Sequence, residues 1–547
     1  MPAVRRLTTP PVLLGALVAA SAALLLFWQS RLTFFIDDWD LLLGRRGFNA
    51  HAFLDPHNEH IIIAPTAIYK AIQAALGMDS LLPYAVVATT AFVASAVLLF
   101  AYLRPRTGDW LALAGTALVL FLGAAYEDLL TPFQIGYFGS MAFGLGALLV
   151  LERRGRAADA WACVLLVLSL TFSELGVPFI VGVAAAIALD RGPWRRVYVV
   201  AVPLVLYAIW YLGWGHTATS HFSFHNVANS PAYALDGFAS SIGSLLGLST
   251  PPITGGTGGI EWGRPLLVGL VVLAAVRLWR LGRFPARLWG PLAIGVSFWL
   301  LTAANTSAER APTASRYQYV GAVFILLIAA ELIRGWRPGW KALAAVGVVT
   351  ALAAAANVSA MRDAYTILRG WTAIVRGDLA GLEIAADHVS PGLELTPQNS
   401  NFNYFGEVRA GPYLAAADKF GSPAFTSSEL ASAPEQGRIG ADKVMAAALG
   451  LTFRPLSAAP PPRGGCRTVI RSGGAPPVID LPRGGATLTA PRGVRANLGL
   501  RRFATASFPI VVGTLQGSAR LAIPPDRSDR PWQLQVDADG PVTVCPV

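Results

Sequence analysis

The stretch FFIDDWDLLL, Phe34 to Leu43, sets Asp37, Asp38 and Asp40 directly after a long apolar run. More candidates follow in DPHNEHIIIAPTAIYK, which holds Glu59 and His60, and in YEDLLTPFQIGYFGS, which holds Glu127, Asp128 and Gln134. A fourth polar stretch, NTSAERAPTASRYQYVG, carries Arg310, Arg316 and, next to Arg316, Tyr317. Carboxylates gathered in the first three stretches and arginines in the fourth are the residue types of a base facing an anion clamp. A carboxylate takes a proton from a nucleophile, and a guanidinium fork holds a departing anion. Each also has a plainer reading. Asp at a helix start is an ordinary cap, arginines snorkel from apolar segments, and polar residues collect in loops. HNEH, His57 to His60, has metal-ligand types, but two His and one Glu across a single turn are a weak metal signal.

The elements that must position these residues are membrane helices. Of 547 residues 54% are hydrophobic and only 14% are charged, and the apolar residues come in runs suited to crossing a core of roughly 30 Å as helices. The fold class is therefore an α-helical polytopic membrane protein, with about eleven spans from Pro10–Gln29 to Ala342–Val358. Among them are Ala160–Phe172, Leu175–Asp190, Val197–Trp214 and Pro265–Leu281. The net charge of +11 is scattered between apolar runs, which excludes a nucleic-acid stripe and reads as topology. With Arg5 and Arg6 cytoplasmic, alternation puts the basic groups at 104–106, 153–156, 191–196, 280–287 and 334–341 on the same side of the cytoplasmic membrane. The four polar stretches then face outward, together with a longer loop, His216 to Arg264, that carries His216, His221 and His225. Trp39 is expected to seat the first loop at the membrane interface, and Glu174 in FSELG falls at an outer helix end.

Beyond Met361 the composition changes. The expected division is a transmembrane domain over 1–360, an extracytoplasmic helical region over 361–460 that ends in the linker RPLSAAPPPRGG, and a small β-sandwich over 461–547. Short Thr/Val/Leu-rich segments between Gly, Pro and Asp turns predict the sandwich. Cys466 and Cys545 lie near its two ends, placed for a disulfide in an oxidising compartment. Trp532 and Asp537 are side chains able to stack on and hydrogen-bond a sugar, while a purely structural cap is equally open.

A paired Asp after the first span, in the first outward loop of such a chain, resembles the C-type glycosyltransferase (GT-C) superfamily. Within it the chain is most similar to the protein mannosyltransferase and aminoarabinose transferase branch. FFIDDWDLL, PHNEH, PFQIGYFGS, FSELGVPFIVG and ASRYQYV carry the likeness. The resemblance implies a GT-C-like fold, a polyprenyl-phosphate-linked sugar as donor, and a glycan, lipid or protein acceptor outside the membrane. It places a carboxylate of the first loop at the site, for which Asp37 or Asp38 is the candidate base; the leaving phosphate's charge makes Arg316 the candidate clamp, with Tyr317 as a donor and Arg310 as second choice. Glu59 and His60 would position acceptor or base, and Gln134 would bind a sugar hydroxyl. One base without a covalent intermediate implies inversion. No cofactor is assigned, and a divalent cation stays open through DD and HNEH. A transporter or flippase of a lipid-linked glycan is the alternative from another class; it calls for paired charges on broken helices near the midplane. A lipid-pyrophosphate-dependent polymerase or ligase would share the outward site without needing Asp-Asp.

Overall fold

A computed structural model of the chain describes residues 9–189, 193–249, 259–307, 310–457, 464–471 and 474–547. Arg5, Arg6, Arg191, residues 250–258 of the His216 to Arg264 loop, residues 308–309 and the middle of the expected linker lie outside the described residues. Among the described residues the fold is mostly helical, with sheets confined to the C-terminal region.

Seven described helices are long and apolar enough to cross a membrane: Pro10–Gln29, Leu82–Thr107, Asp109–Leu130, Pro132–Leu151, Ala286–Ala304, Ser315–Leu332 and Trp340–Ile384. The other four expected spans have identifiable shortfalls. Gly176–Ala188 and Tyr198–Gly213 are apolar but short. Arg156–Phe172 has 17 residues and begins with Arg156 and Asp159, and Ile260–Leu281 carries Glu261, Arg264, Arg277 and Arg280.

The chain divides into two units, the first comprising 1–31, 45–72 and 81–367. At one end of its helices Arg106 meets Glu331, Nε to Oε1 2.5 Å, and Glu152, while Arg287 Nε lies 3.2 Å from Glu331. Basic segments that the charge rule groups together therefore share one end. Buried polar bonds pin the helices laterally: Ser21 Oγ donates to Leu120 O at 2.7 Å, and Ser95 and Tyr319 hydroxyls lie 2.6 Å apart. Asp109–Leu130 is not one continuous helix. It breaks after Leu120 and resumes through Gly123–Ala125, where a Cβ on Gly123 would collide with the Asn357 carbonyl. Asn357 accepts from Ala124 N–H at 3.2 Å and donates to Ser244 O at 2.9 Å, so the break is satisfied inside the protein. The segment expected as a long loop contains the helix Phe224–Leu245, which packs against Ile260–Leu281, Trp289–Ala304 and Ser315–Leu332. Its Ser240, Ser241 and Ser244 hydroxyls lie 3.2–3.3 Å from Gln318 Oε1.

The second unit comprises 32–44, 73–80 and 368–547. Residues 32–44, with Asp37 and Asp38, thus group with the C-terminal chain rather than with the span that precedes them. Trp39 is not an interfacial anchor: it is wholly buried, edge-on to Phe34 and Tyr413. The helices Ala410–Phe420, Ser427–Ser432 and Glu435–Leu449 follow. Among the described residues nine strands then form two antiparallel sheets: β1 (Thr452–Leu456), β2 (Arg467–Val469), β3 (Val478–Asp480), β4 (Gly485–Thr489), β5 (Arg495–Arg501), β6 (Ile510–Gln516), β7 (Ser518–Ala522), β8 (Gln533–Ala538) and β9 (Val542–Pro546). Their orders are β1-β7-β4-β9-β2 and β3-β8-β5-β6. Ala496, Leu498 and Leu500 on β5 and Leu534, Val536 and Ala538 on β8 alternate with more exposed residues, giving that sheet one core face. Strand β1 starts before the expected boundary and takes Arg454 to Leu456 from the expected linker, because these residues pair with Ser518 to Arg520 on β7.

Cys466 and Cys545 form a disulfide that closes 79 residues and joins the chain entering β2 to β9. In the chain-entropy picture a loop of that size contributes about 4 kcal/mol. A Cys466→Ser/Cys545→Ser double variant is expected to lose roughly that much local stability, read as protease cleavage within 464–547 at lower temperature in the intact protein. An unchanged cleavage profile would show that the β2–β9 pairing suffices alone. Trp532 is only 4% exposed, with the Arg502 guanidinium 5.2 Å from its ring, and Asp537 pairs with Arg471. Trp532 therefore presents no open face for a sugar to stack on.

Candidate active-site cavity

PHNEH folds as a tight turn. His57 and His60 exchange backbone hydrogen bonds, N–H to O at 3.0 and 2.8 Å, around Asn58, whose φ of 51° is one that asparagine tolerates. The turn sends its two histidines to different tasks. His57 is buried against Phe133, centroids 4.9 Å apart, whereas Glu59 and His60 line a cavity. Glu174 reaches that cavity from the break between Arg156–Phe172 and Gly176–Ala188, where a Cβ on Gly176 would press on the Leu170 backbone. Arg310 comes from the loop before Ser315–Leu332, held by Tyr233 Oη and Thr306 Oγ1 donating to its carbonyl at 2.6 and 2.8 Å.

The cavity measures about 360 Å³ and lies within the first unit. Tyr137, Tyr207, Tyr211, His216 and Tyr317 also line it. Two charge pairs dominate. The Arg310 guanidinium forks onto both Glu59 oxygens, with Nη2 to Oε2 at 2.8 Å. His60 Nδ1 lies 2.5 Å from Glu174 Oε1, and its Nε2 lies 3.8 Å from Glu59 Oε1. Burial alone would raise Glu59, but His60 and the Arg310 guanidinium outweigh it and hold the carboxyl below the ordinary range. Burial disfavours the His60 imidazolium, yet Glu174 and Glu59 together hold its pKa above the usual histidine value, with His57 opposing.

Glu59, His60 and Glu174 offer donor atoms within 4.8 Å of one another, a donor set a transition metal accepts. The fit is partial, because Arg310 already covers both Glu59 oxygens.

The other expected site residues lie elsewhere. Arg316 is half-buried, its guanidinium 5.9 Å from the Tyr317 ring, and it is not among the residues lining the cavity. Of the two arginines, Arg310 lines the cavity. Gln134 ends the turn before Ile135–Leu151 and does not line the cavity either. In the second unit Asp38 is 1% exposed, and its Oδ2 accepts from Phe35 N–H at 3.0 Å, a capping role, whereas Asp37 is half-buried. Of the cavity's tyrosines the sequence reading singles out Tyr317 alone; the signal for Tyr207 and Tyr211 is that they lie four apart and hence on one helical face, just before Gly215 and His216.

The fold and cavity together define a mostly helical chain with several helices able to cross a membrane and a largely apolar cavity holding two ion pairs at the end opposite the Arg106–Glu331 cluster. No protein-family model and no curated protein matches the chain.

Proposed function

We propose that the chain is a GT-C-type glycosyltransferase that moves a sugar from a polyprenyl phosphate to a cell-envelope acceptor at the outer face of the cytoplasmic membrane, with inversion. The observation that carries the proposal is the cavity wall itself, where Arg310–Glu59 and His60–Glu174 stand beside tyrosines. Transfer from a lipid phosphate requires a cation near the departing phosphate, hydrogen-bond donors for sugar hydroxyls and a group that accepts the acceptor's proton. Arg310 and Tyr317 supply the first two functions. Aspartates 37 and 38 are the bases the family resemblance offers, and Asp38 already has one oxygen engaged by its own helix start.

The test is incubation of the purified protein with a panel of radiolabelled polyprenyl-phosphate sugars and an envelope acceptor fraction. Label is expected to pass from one donor to the acceptor with inverted anomeric configuration. A retained configuration would refute the single displacement. A second reading, movement of a lipid-linked glycan, draws on Asp128, which sits beyond the helix break with both carboxylate oxygens buried and without a hydrogen-bond partner among the described residues. Substrate movement in vesicles without transfer would favour it.

A further inference from the structure

We infer that His60 is the group that takes the acceptor's proton and that Glu174 is the residue that positions it; this rests on the transferase reading above. The imidazole of His60 touches Glu174 through Nδ1 at 2.5 Å. That contact places the Nδ1 proton toward the carboxylate and leaves Nε2 as the ring's accepting atom. Nε2 is 3.8 Å from Glu59 Oε1, beyond hydrogen-bond range, so the two do not satisfy each other directly. Glu59 itself is engaged on both oxygens by Arg310, and it is the weaker base because that pairing favours its ionised form. A carboxylate behind an imidazole is the arrangement that orients a histidine base and stabilises the imidazolium it becomes.

The step balances without a further reactant. The acceptor O–H bond breaks and its proton forms an N–H bond at Nε2, as the acceptor oxygen bonds to the anomeric carbon. The anomeric carbon to phosphate oxygen bond breaks, and its electron pair leaves with the polyprenyl phosphate, whose negative charge Arg310 is placed to receive. The imidazolium then returns its proton to water through the cavity mouth.

The charge on His60 is set by burial, which disfavours the imidazolium, by Glu174 and Glu59, which favour it, and by His57, which opposes it; Arg310, His216, Tyr137, Tyr207, Tyr211 and Tyr317 are the other titratable groups around the cavity. Because the base must be neutral, transfer is expected to fall about tenfold per pH unit on the acid side, where the His60 ring takes up a proton. Removing the Glu174 charge lowers the His60 pKa and moves the acid limb to lower pH.

The experiment is a pH–rate profile for the wild type, Glu174→Gln, His60→Gln and Asp37→Asn, joined to a histidine ¹⁵N NMR titration of the intact protein in detergent, with His60 assigned from its loss in His60→Gln. His60→Gln is expected to lose about 10²-fold or more of the transfer rate together with the acid limb. In Glu174→Gln the limb and the ¹⁵N midpoint should shift to lower pH together. A uniform rate loss in Glu174→Gln with the limb unmoved, or a His60→Gln rate within about threefold of wild type, overturns the inference. Loss of the limb in Asp37→Asn alone assigns the base there instead and also overturns it. If no donor supports transfer by the wild type while the ¹⁵N midpoint still shifts in Glu174→Gln, the transferase reading fails and the catalytic inference falls with it; a lowered midpoint alongside an unmoved limb would sink only the inference.

Discussion

Arg310→Ala is expected to cut transfer by about 10²-fold or more, the usual cost of removing one preorganised charge from a developing anion. Its guanidinium has two tasks that the substitution removes together. It neutralises Glu59, and it is the cation at the wall where a lipid phosphate would depart. A bare loss of activity would not separate them, because an uncompensated Glu59 is itself costly; removing one partner of a well-buried pair costs about 3–5 kcal/mol, and less here because both side chains keep some exposure. The double variant Arg310→Ala/Glu59→Gln separates the tasks. If the arginine serves only to neutralise Glu59, neutralising the glutamate as well restores the rate. If it also receives the phosphate, the double variant folds and binds acceptor but stays inactive, and Arg310→Lys recovers only part, since a point charge replaces a fork. The direction held by Glu59 gives a second readout: with Arg310 absent its carboxyl titrates higher.

How far the sequence discloses this protein varies with the kind of signal. Long uniform apolar runs are legible because hydrophobic length alone marks a crossing helix, and Leu82–Thr107 and Ser315–Leu332 emerge where the runs lie. Where apolar composition mixes with Gly, Ser and Asp the period is blurred. SPAYALDGFASSIGSL therefore reads as loop, although Phe224–Leu245 is a helix whose small residues allow close packing and whose serines gather at Gln318. The site divides in the same way. Glu59, His60, Arg310 and Tyr317 stand out as polar residues at helix ends, and all four line one cavity. What sequence could not disclose was pairing over long separations: nothing local indicates that His60 meets Glu174, 114 residues on, or that Glu59 rather than Arg316 is the near neighbour of Arg310. The grouping of residues 32–44 with the C-terminal chain is equally invisible, because it is made by Phe35 meeting Trp371 and Phe402 and by Trp39 meeting Tyr413.

Asp442→Ala should destabilise the C-terminal unit by about 3–5 kcal/mol, given about 1–3 kcal/mol for each buried donor left unpaired and partial relaxation. Asp442 is wholly buried on Glu435–Leu449, and its carboxylate accepts three consecutive backbone N–H groups just after β5: Arg502 at 2.8 Å, Phe503 at 2.9 Å and Ala504 at 3.0 Å. Seven residues earlier on the same helical face, Glu435 takes the next two, Thr505 and Ala506, each at 2.8 Å. Two acids at heptad spacing thus dock five successive amides, holding the chain where it leaves the four-stranded sheet. The Arg502 side chain extends from this clasp to Asp526 Oδ2 at 2.6 Å and to the Arg530 carbonyl at 2.6 Å, so loosening it also frees a buried ion pair. Asp442→Asn retains one accepting oxygen but turns an amide toward one N–H, and it should fall between wild type and alanine. Thermal proteolysis of the intact protein, with cleavage mapped between 500 and 530, measures the effect where it arises. Protection of that segment in Asp442→Ala equal to that of the wild type would show that water satisfies these amides and that the helix–sheet contact rests on its apolar face alone.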